Sequence, residues 1–151
     1  KGTDKLMIDD LLGILRESRH VLYVTDNAGE IGFDSLVIQR IKELGPKVTV
    51  VVKKNTFFED ATMNDANAFG IGKLADEVVT VAGFMAPQEI DPSLASLFQS
   101  CDFVIGKGTG SYEALNGELG SKKGAFMLKV KCKPISRELG IDEGGVIVKL
   151  A

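Results

Sequence analysis

Six short stretches of the chain are rich in valine, isoleucine and other apolar residues, and most are followed by a polar or glycine-containing turn. Apolar runs of about four to eight residues between turn signals are typical of strands covered on both faces of a sheet. The predicted strands are HVLYVT at 20–25, KVTVVVK at 47–53, EVVTVAG at 77–83, DFVIGKG at 102–108, GAFMLKVK at 124–131 and VIVKL at 146–150.

Between these strands, apolar residues recur at the spacing of one helix face. The predicted helices cover 5–17, 30–44, 60–70, 91–101 and 111–119, with a helical turn at 135–140. Gly45 and Pro46 end the second helix, and Asp60 is expected in the first turn of the third. Asp91 and Pro92 begin the fourth as N-cap and first helical residue, positions that favour these residue types.

Strands and helices therefore alternate along almost the whole chain. This order predicts right-handed crossovers between parallel strands, with helices on both faces of the sheet. The predicted fold class is α/β: a three-layer α/β/α arrangement around a mostly parallel, Rossmann-like sheet. The last two strands are joined by only a short connection, which predicts a mixed or antiparallel edge.

The chain has 151 residues, which is enough for one compact domain with a real core. We expect a single domain over 1–151, in which a leading helix at 1–19 precedes a site-bearing part at 20–150. Because the sequence begins without methionine, we expect it to be a piece of a longer protein.

Composition excludes several classes of function. A formal net charge of -3 and a pI near 5.2 argue against nucleic acid as a partner. No apolar run approaches the roughly 20 residues that cross a bilayer, and the first residues lack the pattern of a secretory signal, so we expect a cytoplasmic protein without a membrane partner.

Cys101 and Cys132 are isolated and are predicted to be small core residues. His20 is the only histidine and begins a strand, so a Ser-His-Asp or Cys-His mechanism lacks a base.

Polar corners follow three of the predicted strands: TDNAGE, NTFFEDAT and GKGTGSYE. In open α/β sheets, ligands bind beyond the carboxyl ends of the strands, which is where these corners lie. Asp26, Asn27 and Asp60 offer oxygen donors without a nearby histidine or cysteine, a set that suits hard divalent cations such as Mg2+ or Mn2+.

The same corners also offer groups that suit phosphate. Gly29 would let the backbone approach a ligand, and Glu30 opens a helix whose N–H groups could hold a phosphate oxygen. Lys107, between glycines, would offset phosphate charge. Glu113 is expected to face the crevice in preference to Asp34, because Lys107 does. A cation, a lysine and a helix N-terminus together predict metal-assisted phosphoryl transfer or hydrolysis.

Each corner has a structural explanation when it is taken alone. Asp-Asn before glycine is common in turns, an aspartate in the position of Asp60 often caps a helix, and GKGTG is neither a P-loop nor a full GxGxxG. Their shared location at one sheet edge favours the functional interpretation.

Four motifs in order resemble a known family: DNAGE-x-x-FD, EDAT-x-x-DA, GKGTGSYE and LKVKCKPISRELG. The chain from about residue 20 to 150 is similar to the metal-dependent damage-control phosphatases, also catalogued as domain of unknown function 89. The corner that often reads Lys-Gly-Gln-Gly-Asn in that family reads KGTGS at 107–111 here, so hydroxyls replace amide side chains.

The resemblance implies an α/β/α domain that binds a divalent cation and hydrolyses phosphate monoesters such as sugar phosphates or phosphopantetheine derivatives. It implies that Asp26, Asn27 and Asp60 are metal ligands. It also implies a set of phosphate or substrate contacts: Gly29, Glu30, Lys107, Gly108, Glu113 and, more weakly, Lys131. Family members carry a further helical region N-terminal to this domain, which helps to cover the site.

The leading hypothesis is therefore a phosphatase that uses Mn2+, Co2+, Ni2+ or Mg2+ to hydrolyse a small phosphorylated metabolite. Asp26 and Asp60 are the expected catalytic residues; the attacking group is either a metal-bound water with a carboxylate base or Asp26 as a covalent nucleophile. The expected partners are the metabolite and either a second copy of the chain or the N-terminal helical region. The alternative is a non-catalytic phosphometabolite-binding or regulatory domain of the same fold. A nicotinamide-binding domain ranks third, because TDNAGEIG lacks GxGxxG.

Overall fold

The structure is a computed structural model that describes residues 5–151. The predicted leading helix at 1–19 is observed as α1 from its fifth residue, and residues 1–4 lie outside the described residues. The elements are α1 (Lys5–Glu17), β1 (His20–Val24), α2 (Ile31–Leu44), β2 (Lys47–Lys53), α3 (Met63–Ala68), α4 (Ile71–Leu74), β3 (Glu77–Val81), α5 (Pro92–Ser100), β4 (Phe103–Lys107), α6 (Gly108–Leu115), β5 (Lys123–Lys129), α7 (Lys133–Leu139) and β6 (Val146–Leu150). Within this described range, no helix is both long enough and apolar enough to span a bilayer.

The six strands form one sheet in the order β3-β2-β1-β4-β5-β6. Strands β1 to β5 are parallel, and β6 pairs with β5 in the antiparallel direction. These pairings confirm the predicted α/β class, the mostly parallel sheet and the mixed edge. The chain winds outwards from β1 in both directions, so the strand order reverses between β1 and β4, the position at which such sheets leave a ligand crevice.

The core lies on both faces of the sheet, as three layers require. Side chains alternate across a strand, so Val21 and Tyr23 pack with buried residues of α1, α2, α3 and α4. Leu22 and Val24 point the other way and pack with buried residues of α5, α6 and α7. Burial on both faces explains why β1 reads as a continuous apolar run, and it holds the strand ends in a common register: Val24 lies opposite Val51 and Gly106.

The third helix is shorter than predicted. It was expected over 60–70 with Asp60 in its first turn, but α3 begins at Met63. Thr62 is the N-cap because its N–H and hydroxyl both bond to the carboxylate of Asp65, at 2.8 and 2.7 Å. Asp60 therefore lies outside the helix. It forms an isolated antiparallel bridge with Asn27, which places two polar corners side by side.

The sixth helix begins earlier than predicted. Helix α6 starts at Gly108, directly after β4, and ends at Leu115, whereas the pattern predicted 111–119. Gly108 has a φ of 79°, in the left-handed region that favours glycine, and this lets the chain leave the strand without a loop. The start of α5 is as predicted: the Asp91 side chain accepts bonds from two backbone N–H groups of the first turn.

His20 and Cys101, which the sequence excluded from chemistry, lie where the strands begin, away from their carboxyl ends. His20 begins β1, and its Nε2 lies 2.8 Å from the Thr49 hydroxyl oxygen. Cys101 is buried, as predicted, and burial raises the pKa of its thiol to about 11. Cys132 is free and partly buried against the same core.

Candidate active site

Two cavities lie at the carboxyl ends of the strands, and Asp26 lines both. The larger has a volume of about 350 Å3, within the roughly 300–1,000 Å3 of small-molecule sites. It is lined by Asp26, Glu30, Lys107, Gly108, Thr109, Met127, Leu128, Lys129, Lys131 and Val146. The smaller, about 20 Å3, has room for a single water or ion. Its polar and charged lining residues are Thr25, Asp26, Lys53, Asp60 and Ser111.

Asp26 lies two residues beyond β1 and is held closely by the neighbouring backbone. A Cβ added at Gly108 would overlap the Asp26 carboxylate, so Gly108 is required both for its φ and for this approach. Burial raises the pKa of Asp26, the carboxylates of Glu30 and Asp60 raise it further, and Lys131 opposes them. An ionised Asp26 therefore lacks a full set of compensating charges among its protein neighbours.

Lys107 is held by two carboxylates rather than left free for a ligand. Its Nζ lies 2.8 Å from Oε2 of Glu30 and 2.8 Å from Oδ1 of Asp34. Burial disfavours the ammonium, but these hydrogen bonds prevail and raise the pKa of Lys107. An ammonium has three N–H donors, so one remains for a ligand. Of the contributions to Glu30, the hydrogen bond from Lys107 is the largest, and it lowers the pKa of that carboxylate.

Asp34, which the sequence placed below Glu113 as a residue facing the crevice, lines neither cavity but contacts the site through Lys107. It is only 2% exposed, and its Oδ1 also accepts a 2.7 Å hydrogen bond from the Tyr23 hydroxyl. Its Oδ2 is buried without a hydrogen-bond partner. Glu113, which was expected to face the crevice instead, is exposed and lines neither cavity. The signal that identifies Asp34 is its spacing from Glu30: residues four apart share one helix face.

Asn27 and Asp60 face each other across their bridge, and backbone bonds on both sides hold them there: Ala28 N–H to Glu59 O at 2.7 Å and Ala61 N–H to Asp26 O at 2.8 Å. Side chains directly opposite in an antiparallel pair lie on the same face.

The three expected metal ligands are thus brought to one corner of the sheet. Within residues 5–151, no group of three or more histidine, cysteine or acidic side chains forms a ready-made metal site. The donor set still fits a hard cation: Asp26 and Asp60 share an ion-sized cavity, and Asn27 lies beside Asp60.

The start of α2 offers less to a phosphate than the sequence suggested. The N–H groups of Glu30 and Ile31 bond to carbonyls of the preceding turn, Asn27 O at 3.1 Å and Ala28 O at 3.4 Å. Gly29 is exposed, a Cβ there would meet nothing within 4 Å, and its φ is not positive. The structure shows a close backbone approach at Gly108 instead, where the neighbouring group is the Asp26 carboxylate.

The start of α6, rather than the start of α2, lies along the two cavities. Gly108 and Thr109 line the large cavity, whereas Gly110 and Ser111 line the small one. The first N–H groups of a helix have no partner within it, so this turn presents free donors along both cavities.

Further lysines surround the site. Lys131 lines the large cavity, as the resemblance implied, and so does Lys129. Lys53 lines the small one. Neither Lys129 nor Lys53 was identified from the sequence, because both lie within or at the end of an apolar strand pattern. Three lysines line the large cavity; Glu30 and Asp34 neutralise Lys107, so Lys129 and Lys131 supply the positive charge that suits an anionic ligand.

The fold and the site together define a Rossmann-like domain with a carboxylate corner beside a lysine-lined cavity, and comparison with known proteins gives its family. The chain belongs to the family of the damage-control phosphatase ARMT1-like domain, whose model matches residues 3–147. This membership confirms the resemblance drawn from the four motifs.

Individual relatives agree with the family. The chain is 37% identical over 138 residues to a damage-control phosphatase of Archaeoglobus fulgidus, covering 88% of this chain and 47% of the relative. It is 31% identical over 150 residues to the damage-control phosphatase PH1575 of Pyrococcus horikoshii, covering 95% and 52%. The crystal structure of PH1575, a DUF89 family protein, superposes with a TM-score of 0.83 at 29% identity, covering 92% of this chain and 50% of that one. The chain thus spans about half the length of the relatives it matches.

Proposed function

We propose that this chain is the metal- and phosphate-binding part of a divalent-metal-dependent phosphatase that hydrolyses a small phosphorylated metabolite. The observation that carries the proposal is the position of Asp26, which lines both the ion-sized cavity and the larger, lysine-lined one. Family membership and the two relatives named as damage-control phosphatases support the phosphatase class.

The residues of the two cavities have different proposed roles. Asp26, Asn27 and Asp60 would hold the divalent ion, which supplies Lewis acidity toward a phosphoryl oxygen when bound. Lys107, with its one uncommitted N–H, and Lys131 would bind phosphate oxygens, together with the backbone donors at the start of α6. Glu30 and Asp34 hold the Lys107 ammonium in place.

In the hydrolysis, a P–O bond forms to the attacking oxygen, the ester P–O bond breaks, and the leaving alcohol takes up a proton. The attacking oxygen belongs either to water, with a carboxylate accepting its proton, or to Asp26 as a covalent nucleophile. Acid quench during turnover distinguishes the two routes, because only the second leaves an acyl phosphate on the protein.

The test is hydrolysis of p-nitrophenyl phosphate by the purified chain with Mn2+, Co2+, Ni2+ or Mg2+. Activity that EDTA abolishes and that an added metal restores is expected, and Asp26→Ala should remove it. Activity unchanged by chelation or by Asp26→Ala would overturn the metal-dependent mechanism.

One observation favours the non-catalytic alternative: Glu30 and Asp34 already neutralise Lys107, which leaves less positive charge to stabilise a transferred phosphoryl group. On that alternative, inorganic phosphate with Mn2+ raises the melting temperature while no phosphate ester is hydrolysed. Measuring both on the same preparation separates the two functions.

A further inference from the structure

A lysine outside the family-like motifs lies in the small cavity. Lys53 is the last residue of β2, and it lines that cavity together with Asp26 and Asp60. Burial lowers the pKa of Lys53, and the carboxylates of Asp60 and Asp26 act in the opposite direction. The next residue, Lys54, is exposed and lines neither of the two site cavities.

The loop after β3 holds the Lys53 ammonium in place. Its Nζ donates a hydrogen bond to the carbonyl oxygen of Gly83. It also lies over the ring of Phe84, 4.6 Å from the ring centroid, a cation–π contact. One N–H of the three is thus committed to Gly83, and two remain.

Phe84 joins this lysine to the glycine-rich corner. Phe84 is 62% exposed as a residue, so its ring is held by a small number of contacts. It packs on the backbone of Gly110, where an added Cβ would lie 2.6 Å from Cε1 of the ring. The same residue therefore contacts both Lys53 and the first turn of α6.

The first turn of α6 lines both cavities, so a phosphoryl group bound at this turn in the large cavity would lie beside the ion-sized cavity that contains Asp26 and Lys53. Lys107 approaches it from the large cavity and Lys53 from the small one.

We propose that Lys53 is a second phosphate-binding lysine of this site and that Phe84 is the residue that positions it. The inference rests on the proposed function, because it assigns a further contact to the same phosphate. On this proposal Lys53 contacts the transferred group itself, whereas Phe84 is expected to affect phosphate binding through Lys53.

The test compares Lys53→Met, which removes the charge and keeps the length, with Lys54→Met as the matched control. The dissociation constant of inorganic phosphate in the presence of Mn2+ is measured by calorimetry, alongside KM and kcat for p-nitrophenyl phosphate. Lys53→Met should weaken phosphate binding by roughly 10-fold or more, the typical loss for a hydrogen bond to a charged group. Lys54→Met should stay within about twofold, as expected of an exposed charge.

A second pair of variants tests the positioning. Phe84→Leu should weaken phosphate binding less than Lys53→Met does, and Phe57→Leu, another exposed phenylalanine, should leave it unchanged. In the Lys53→Met background, Phe84→Leu should have no further effect, since residues that act through one another are not additive. A merely structural role for Phe84 would lower the melting temperature without this dependence on Lys53.

The outcomes separate this inference from the function on which it rests. If wild type and Lys53→Met bind phosphate with the same dissociation constant, the role of Lys53 is overturned and the proposed function stands. A wild type that neither binds phosphate nor hydrolyses the ester overturns both. Lys53→Gln replaces Lys53→Met if the latter shows no cooperative thermal transition.

Discussion

The two ends of the sheet use aspartate in opposite ways. Where the strands begin, the Asp102 carboxylate accepts hydrogen bonds from the backbone N–H groups of Arg19 and His20, both at 2.9 Å. Asp76 does the same for the N–H of Val48, at 2.7 Å. Burial opposes ionisation of Asp102, but its backbone donors prevail and lower its pKa. These carboxylates join neighbouring strands and favour the folded state.

At the carboxyl ends of the strands, the Asp26 carboxylate lies where its ionisation destabilises the folded state. Burial and two neighbouring carboxylates raise its pKa, so its ionised form is disfavoured where Asp102 is favoured. This difference marks Asp26 as a candidate functional residue. A carboxylate whose charge the protein does not compensate is suited to an external cation.

The largest expected effect is on activity at Asp26. Asp26→Asn should lower kcat/KM for p-nitrophenyl phosphate by roughly 10²–10⁴-fold, as removal of a directly reacting carboxyl group does. It should not lower the stability of the metal-free protein. Because the folded-state pKa is raised, ionisation of Asp26 weakens the fold as pH rises through that pKa, and asparagine removes this cost at pH 7.

Steady-state kinetics and urea unfolding in EDTA provide the two measurements. Asp9→Asn, an exposed carboxylate of α1, serves as the control and should change neither. Clear destabilisation by Asp26→Asn would mean that Asp26 serves the fold as Asp102 does.

Gly108→Ala should have the largest effect on stability. The substitution forces a Cβ onto the Asp26 carboxylate at a φ of 79°, so we expect a loss of about 3 kcal/mol, near the upper end for backbone strain. Gly13→Ala in α1, where a Cβ would meet nothing within 4 Å, should instead stabilise by about 0.5–1 kcal/mol. Urea denaturation of both variants measures the difference, and similar behaviour in the two would contradict the close approach of Gly108 to Asp26.

Asp34→Asn tests whether Asp34, at the same end of the sheet as Asp26, stabilises the fold where Asp26 does not. Asp34 is paired with Lys107 and accepts from the Tyr23 hydroxyl, so its neutralisation should cost about 2 kcal/mol, in the range for hydrogen bonds to a charged group. Asp10→Asn, an exposed residue of α1, is the control for thermal unfolding. Stability unaffected by Asp34→Asn would show that Lys107 is held by Glu30 alone.

The smallest effect is expected at the other end of the sheet. Asp102→Asn should lower stability by about 1 kcal/mol at pH 7 and leave activity unchanged. The folded-state pKa of Asp102 is lowered, so its contribution is present above the unfolded-state pKa, near 3.8, and is lost as pH falls through the folded-state pKa. Urea unfolding of wild type and variant at pH 7 and pH 3 should therefore show a difference that shrinks in acid; a constant difference would remove the electrostatic explanation.

Much of the fold was predictable because local pattern and burial agree. The apolar runs of β1 and β2 are buried on both faces, and Asp91 with Pro92 marks a helix start by local hydrogen bonding alone. The start of α3 was missed because the capping pair Thr62 and Asp65 competes with Asp60 for the same role, and hydrogen-bond geometry decides between them.

Part of the candidate site could likewise be predicted from the sequence, and part could not. Strand-end position brought Asp26, Asn27 and Asp60 together correctly, because parallel strands present their carboxyl ends at one edge. Position alone did not reveal the roles of Asp34, four residues after Glu30, and of Lys53, at the end of β2. Those roles depend on partners at distant positions: Asp34 is 73 residues from Lys107 in the chain.

The sequence by itself determined the order of elements, the class of fold and the corners that carry polar chemistry, since these follow from periodicity and from local turn and capping preferences. Only the tertiary structure decided which charges neutralise one another: it paired Lys107 with Glu30 and Asp34, left Asp26 undercompensated between two cavities, and added Lys53 to the smaller one. The physical reason is that charge compensation depends on distance and burial in space, which spacing along the chain does not specify.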